Sequence, residues 1–217
     1  MDKKIALFKK MKQERLIAVI RADKMEDARN IIHAAVTGGI KLIEITMTTP
    51  GAIELVQEIK EHYQKSVYVG VGTVLNTESA QLAINAGSEF VVCPHLDEDI
   101  IKLCNLYQVT VIPGTTVLKD MVQALKWGCS IIKLFPANLL GAEAIKSFKG
   151  PMPHVNLMPT GGVNLENLNE WLDAGAVCVG IGSELSKKAV QTQDFSYVTK
   201  YAQQLVTKIV DWEMDKG

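Results

Sequence analysis

A chain of 217 residues with 47% hydrophobic and 22% charged residues has ordinary globular composition and is long enough to bury one sizeable core. A net charge of -1 leaves no electrostatic footprint for nucleic acid or an anionic membrane, and no apolar run approaches the ~18 residues of a membrane span. Cys93, Cys104, Cys129 and Cys178 are scattered without a CxxC pair, so they read as reduced thiols of a cytoplasmic protein rather than a disulfide or zinc framework.

Met1-Asp2-Lys3-Lys4 leads into a helical pattern carried by Ile5, Phe8 and Met11, without the apolar core of a signal peptide. From there, short β-branched runs alternate with amphipathic stretches. Strands are expected at 16–22, 42–47, 67–73, 90–94, 110–115, 131–136, 156–161 and 178–183. Helices are expected near 26–37, 51–62, 77–86, 97–107, 118–127, 141–148, 165–174 and 194–213. The last sets Val198, Tyr201, Leu205, Ile209 and Trp212 on one stripe. Glycines at Gly38-Gly39, Ala86-Gly87-Ser88, Trp127-Gly128 and Ala174-Gly175-Ala176 mark helix C-termini.

Eight strand–helix units with short connections call for parallel strands and right-handed crossovers. The count fits an α/β fold of the (β/α)8 TIM-barrel type with an N-terminal helix, as a single domain over 1–217. An open doubly wound sheet also alternates in this way, but rarely needs eight evenly spaced units of this size.

One lysine interrupts the sixth apolar run, Ile131-Ile132-Lys133-Leu134-Phe135-Pro136. Such a run is a strand buried on both faces, where lysine is seldom found. Desolvation favours the neutral amine, which can attack a carbonyl to form an imine. Phe135 lies two residues on, so it shares the face of Lys133 and walls it from water. Glu44 is a second charge inside an apolar run, Leu42-Ile43-Glu44-Ile45. The pair reads either as a buried salt bridge or, more sharply, as an imine-forming amine with a carboxylate that moves protons.

Active sites of barrels lie at the C-terminal ends of the strands. There the chain places Arg21, Glu44, Thr46–Thr49, Gly70-Val71-Gly72-Thr73, Cys93-Pro94-His95, Pro113-Gly114-Thr115, Lys133, Pro159-Thr160-Gly161-Gly162 and Gly180-Ile181-Gly182-Ser183. The small residues after the last two strands suit a phosphate held by backbone N–H groups. Arg21 is a fixed cation for a carboxylate or phosphate. His33 and His62 fall in helical patterns and read as surface residues, and His154 lies in a proline-rich loop. His95 with Cys93 is too small a set to ligate a metal.

At Ile43-Glu44-Ile45-Thr46, Gly70-Val71-Gly72-Thr73-Val74, Lys133-Leu134-Phe135-Pro136 and Pro159-Thr160-Gly161-Gly162-Val163 the chain resembles the 2-keto-3-deoxy-6-phosphogluconate aldolases. These are class I aldolases, often also active on 4-hydroxy-2-oxoglutarate. The resemblance runs from Leu16 to about Ser183. It implies that Lys133 forms the imine with the substrate's 2-keto carbon and that Glu44 shuttles protons. It also implies that Thr73 and an arginine hold the pyruvate carboxylate and that Thr160 lies near the aldehyde-side hydroxyls. Gly161, Gly162, Gly182 and Ser183 would hold the phosphate, while Pro94 and Phe135 complete the substrate-contacting set. Cleavage would give pyruvate and glyceraldehyde 3-phosphate, with no cofactor or metal. The partner implied is thus a small phosphorylated keto acid, without nucleic acid or membrane, and the assembly a homotrimer.

Two segments depart from the family's pattern. Thr48, in Met47-Thr48-Thr49, stands in a segment where many members carry an arginine, leaving Arg21 as the carboxylate clamp. Val117-Leu118-Lys119-Asp120 replaces a Thr-Pro-x-Glu pattern. These departures keep two other substrates open, the galactonate epimer and an unphosphorylated 2-keto acid. A phosphate-binding isomerase or synthase, or a non-catalytic sugar-phosphate binder, would explain the glycines but not the buried amine and carboxylate.

Overall fold

A computed structural model describes residues 3–216. The chain runs α1 (Lys3–Glu14), β1 (Leu16–Ile20), α2 (Met25–Thr37), β2 (Leu42–Thr46), α3 (Ala52–Tyr63), β3 (Tyr68–Gly72) and α4 (Thr77–Asn85). It continues through β4 (Phe90–Val92), α5 (Glu98–Leu106), β5 (Thr110–Ile112), β6 (Gly114–Thr115), α6 (Leu118–Lys126) and β7 (Ile132–Leu134). The last part is α7 (Glu143–Lys149), β8 (Leu157–Pro159), α8 (Leu168–Asp173), β9 (Val179–Ile181), α9 (Ser183–Thr192) and α10 (Ser196–Lys216).

All strand pairs are parallel. Six form one sheet in the order β5-β4-β3-β2-β1-β9, and three form a second in the order β6-β7-β8. The fold is therefore α/β, with a curled parallel sheet and its helices. Beyond the end of β8, Thr160 makes a parallel bridge to Gly180 of β9, and the Val177 N–H donates to the Leu157 carbonyl at 2.9 Å.

The strand side chains alternate between two cores, as a period of two requires. Ile17, Leu42, Phe90, Val92, Ile112 and Met158 meet on the concave face. Ala18, Ile20, Ile43, Ile45, Val69, Val71, Val91 and Leu157 face the helices instead. Helix α1 packs Leu7 and Met11 against Ile17, Leu42, Phe90 and Ile131. These residues come early in their strands or just before them, so α1 covers the N-terminal end of the concave face and leaves the other end open. Helices present one apolar stripe each: in α3, Ala52, Leu55, Val56 and Ile59 are buried at i, i+3, i+4 and i+7. Gly39, Gly87, Gly128 and Gly175, each just past a helix, adopt positive φ, as the expected C-terminal caps require.

Three sequence expectations need correction. The strand expected at 110–115 is two: Pro113 has no N–H for the ladder, so β5 pairs with β4 while β6 pairs with β7. Helix α9 starts directly after Gly182, where a connection to the last helix was expected; its signal is the buried set Leu185, Ser186 and Ala189. His33, expected at the surface, is half-buried between α2 and α3, with its Nδ1 2.6 Å from the Tyr63 hydroxyl.

Candidate active site

Lys133 and Glu44 come from strands on opposite sides of the concave face and converge on it. Register places Lys133 of β7 beside Gly114 and Met158, and Glu44 of β2 beside Val19 and Gly70. Lys133 Nζ is 3.7 Å from Glu44 Oε1, with side-chain exposures of 6% and 0%. That separation is an ion pair but longer than a good hydrogen bond. Neither Glu44 oxygen has a hydrogen-bond partner within the protein, although burying a carboxylate is costly unless it is paired and bonded. A carboxyl buried beside an amine, with no protein group on its lone pairs, has the geometry to exchange protons with a molecule that reaches it.

Gly72 makes room for it. A Cβ on Gly72 would stand 1.9 Å from Glu44 Oε1 and 2.5 Å from its Cδ. Gly114, the register partner of Lys133, is pressed against Pro94, whose carbonyl oxygen would be 2.5 Å from an added Cβ. Pro94 thus lies one strand away from the amine. Phe135 covers Lys133, its ring centroid 4.9 Å from Nζ, a favourable distance for an ammonium over an aromatic face.

On the side of β1, Arg21 Nη2 donates to Thr73 Oγ1 at 3.4 Å. Thr73 follows Gly72 with φ of 57°, a conformation uncommon for a β-branched residue. The two residues assigned to a carboxylate therefore do meet. Thr48 is exposed, and its hydroxyl lies 2.9 Å from that of Thr46. Thr46 in turn donates to the Ile20 carbonyl at 3.1 Å, and Thr49 accepts from the Ala22 N–H at 3.4 Å. These threonines stitch the end of β2 to the end of β1, a role sequence reasoning did not see. In the other divergent segment, the Thr115 hydroxyl accepts from the Val117 N–H at 3.1 Å at the entry to α6.

Beyond Phe135 opens a cavity of about 480 Å³. Seven predicted residues line it: Arg21, Phe135, Thr160, Gly161, Gly162, Gly182 and Ser183. Gly161 and Gly162 have φ of 97° and 76°, so this turn requires glycine. Gly182 and Ser183 begin α9, whose positive dipole end favours an anion. The Thr160 hydroxyl is buried without a partner, close against Gly180. Lys133 and Glu44 are not in the lining; Phe135 stands between the amine and the open space. Sequence reasoning missed Lys187 and Gln191, which line the cavity from α9 because that helix was not expected.

Cys93 is buried next to the site, and burial, reinforced by Cys104, keeps its thiol neutral by pushing its pKa up. His95 has Asp97 at 3.9 Å. Among the described residues, no group of three or more His, Cys, Asp or Glu side chains converges as a metal site needs.

This geometry agrees with known proteins. Residues 7–201 match the family model described as KDPG and KHG aldolase. The chain is 36% identical over 202 residues to the 2-dehydro-3-deoxy-phosphogluconate aldolase of Treponema pallidum, covering 92% of this chain and 96% of that protein. It is 30% identical over 171 residues to the 2-dehydro-3-deoxy-6-phosphogalactonate aldolase of Escherichia coli, covering 78% of this chain and 83% of that one. Among solved structures, the KDPG aldolase of Legionella pneumophila, with pyruvate captured as a covalent carbinolamine, superposes with a TM-score of 0.82 at 28% identity. That match covers 88% of this chain and 94% of the other. With buried amine, carboxylate and glycine cradle in one fold, and its family model matched over nearly the whole length, the chain belongs to the KDPG and KHG aldolase family.

Proposed function

We propose that this protein is a class I aldolase that reversibly cleaves 2-keto-3-deoxy-6-phosphogluconate to pyruvate and glyceraldehyde 3-phosphate through an imine on Lys133. The observation that carries this reading is the fully buried Glu44 carboxyl, with no hydrogen bond to the protein, 3.7 Å from the Lys133 amine. Glu44 takes the proton of the Lys133 ammonium, and the freed amine adds to the C2 carbonyl to give a carbinolamine. Glu44 gives a proton to the departing hydroxyl, leaving a cationic imine and a carboxylate. That carboxylate takes the proton from the C4 hydroxyl as the C3–C4 bond breaks; the electron pair moves into an enamine, and the aldehyde leaves. Protonation at C3 and hydrolysis of the imine release pyruvate. Arg21 and Thr73 hold the carboxylate, Thr160 meets the sugar hydroxyls, and Gly161, Gly162, Gly182 and Ser183 receive the phosphate at the start of α9.

The same reading takes the fold as one domain in which the two sheets close into a (β/α)8 barrel. The Thr160–Gly180 bridge and the continuity of β5 and β6 across Pro113 support closure. It also places the protein in the cytoplasm; among the described residues no helix is long and apolar enough to cross a membrane. It takes the assembly as a homotrimer, and exposed Leu75, Leu82, Leu106 and Val122 on and beside α4, α5 and α6 support self-association.

Borohydride reduction in the presence of pyruvate tests the chemistry. Wild type gains one covalent pyruvate unit at Lys133, and Lys133→Ala gains none; equal labelling of both proteins would refute the imine. Thr48, uncharged at the site's rim, favours a second reading with the galactonate epimer or 4-hydroxy-2-oxoglutarate as the better substrate. Comparison of kcat/KM for the three substrates decides between them.

A further inference from the structure

The cavity beyond Phe135 is walled on one side by a helical stripe with no assigned task past its first residue. Ser183, Ser186, Lys187, Val190 and Gln191 of α9 line it at i, i+3, i+4, i+7 and i+8, so one face of the helix looks onto the open space. Leu185 and Ala189 fill the buried face instead. A helix face turned to bulk water is ordinarily polar, but this polar stripe borders a concave space of about 480 Å³ shared with Gly161 and Gly162.

Lys187 is the cation of that stripe. Among the described residues it makes no hydrogen bond, ion pair or ring contact. Its neighbour Lys188 is engaged, with Nζ 4.0 Å from the centroid of the Tyr197 ring. Two carboxylates must be counted against it. Asp23 lines the same cavity and Glu184 stands at i−3 in α9, yet among the described residues neither forms an ion pair with Lys187. The other cation of the lining, Arg21, donates to Thr73 Oγ1 at 3.4 Å on the side of β1.

Helix geometry aims the side chain. Side chains of an α-helix tilt toward its N-terminus, so a residue at i+4 lies over the one at i. Lys187 is one turn, about 6 Å along the axis, beyond Ser183, and leans back toward the end of α9 where the helix dipole favours negative charge. The groups assigned to the phosphate at that end, Gly161, Gly162, Gly182 and Ser183, offer only neutral donors.

We propose that Lys187 is a specificity-determining residue, whose ammonium pairs with the substrate phosphate and favours phosphorylated over unphosphorylated 2-keto acids. The inference rests on the aldolase reading and adds a side-chain charge to a cradle of backbone N–H and hydroxyl groups. No protein contact of Lys187 has to break when the phosphate arrives.

Steady-state kinetics on 2-keto-3-deoxy-6-phosphogluconate and on unphosphorylated 2-keto-3-deoxygluconate test the assignment in wild type, Lys187→Gln and Lys187→Arg. A hydrogen bond to a charged group is worth about 10–100-fold in binding, so KM for the phosphorylated substrate should rise by about that factor in Lys187→Gln, with kcat little changed. Inhibition by glycerol 3-phosphate should weaken in parallel. The phosphate-free readouts, kcat/KM for 2-keto-3-deoxygluconate and exchange of the pyruvate methyl protons in deuterated water, should move by less than about threefold. Lys187→Arg, which keeps the charge, should recover most of the loss. Borohydride labelling of Lys133 by pyruvate separates the two ways of failing. If wild type labels and cleaves but has no preference for the phosphorylated substrate, or if Lys187→Gln leaves that preference unchanged or lowers both substrates equally, the role of Lys187 is overturned and the aldolase reading stands. A wild type that neither labels nor cleaves overturns both.

Discussion

Gly72→Ala should be a catalytic lesion made without touching a reacting group. The added Cβ would stand 1.9 Å from Glu44 Oε1, 2.5 Å from Cδ and 2.6 Å from Cγ. Carbon contacts are comfortable at ~3.5–4.0 Å, so the carboxyl must retreat by roughly 1–2 Å. Glu44 has no exposure into which it can swing freely. General acid–base catalysis contributes about 10²–10⁴-fold, and a misplacement of ~1 Å can remove about 10²-fold. We expect kcat to fall about 10²–10⁴-fold, or ~3–5 kcal/mol of barrier. Overpacking should cost about 1–3 kcal/mol of stability, a drop of roughly 2–12 °C in Tm for a chain of this size.

The assay pairs kcat with exchange of the pyruvate methyl protons in deuterated water, which requires imine and enamine formation but no aldehyde. Both should fall together in Gly72→Ala and in Glu44→Gln, and the double variant should lose no more than the worse single one. Circular dichroism confirms the fold. If Gly72→Ala lowers Tm yet leaves kcat and exchange within about threefold of wild type, the position of the Glu44 carboxyl does not limit the reaction, and the reasoning fails.

Gly180→Ala would bring a Cβ within 2.5 Å of the Thr160 hydroxyl, so KM for the phosphorylated substrate should rise roughly tenfold, ~1.4 kcal/mol, with borohydride labelling of Lys133 retained. Loss of labelling instead would show that Thr160 supports imine formation. Leu7→Ala, in the helix covering the concave face, should cost about 2–5 kcal/mol in denaturant unfolding; an unchanged midpoint would mean α1 is dispensable. His33 is held below its ordinary pKa first by burial and then by the His62 and Arg29 charges. The unfolded chain therefore binds a proton more readily, so the His33 contribution is intact above ~6.5 and is lost as pH falls below it. Tm should drop less between pH 7.5 and 5.0 in His33→Gln than in wild type, and an equal drop would place the acid sensitivity elsewhere. All four cysteines are buried, with Cys104, Cys129 and Cys178 pushed up to about 12 by burial. A thiol reagent at pH 8 should label none of them until the chain is unfolded.

Lys133 and Glu44 could be read from the sequence because a charge inside an apolar strand is a local contradiction that shows in five residues. The glycines at 161 and 162 were legible for a similar reason, since adjacent glycines at a strand end announce positive φ. What escaped reading depended on long-range contact. Gly72 has no side chain to signal that it makes room for Glu44, a residue 28 positions earlier. Lys187 and Gln191 looked like ordinary polar residues because Ser183–Thr192 was not taken as a helix. Thr48 was read as a missing charge, whereas its hydroxyl belongs to the threonine stitch joining β1 and β2. Pro113 was visible, yet only the neighbouring strands show that it divides one strand between two sheets.

The concave face is built by subtraction. Gly70, Gly72, Gly114 and Gly180 occupy positions where a Cβ would collide with Phe90, Glu44, Pro94 and Thr160, respectively. Each collision involves a buried or backbone partner, so the layer holding the amine and carboxyl has little slack. Close packing of this kind resists gradual change: a methyl group either fits or displaces a reacting side chain. The rim differs. Thr48, Ser183 and Lys187 are exposed and make few or no fixed contacts that a substitution would break. Substitutions at the rim should therefore redistribute kcat/KM among phosphorylated and unphosphorylated keto acids while borohydride labelling of Lys133 persists. Substitutions at Gly70, Gly72 and Gly114, around the amine and carboxyl, should lower turnover for every substrate alike, whereas Gly180 acts through Thr160 on substrate grip. The bond-breaking half of the site is fixed by packing, and the substrate-gripping half is where this chain is free to differ from its relatives.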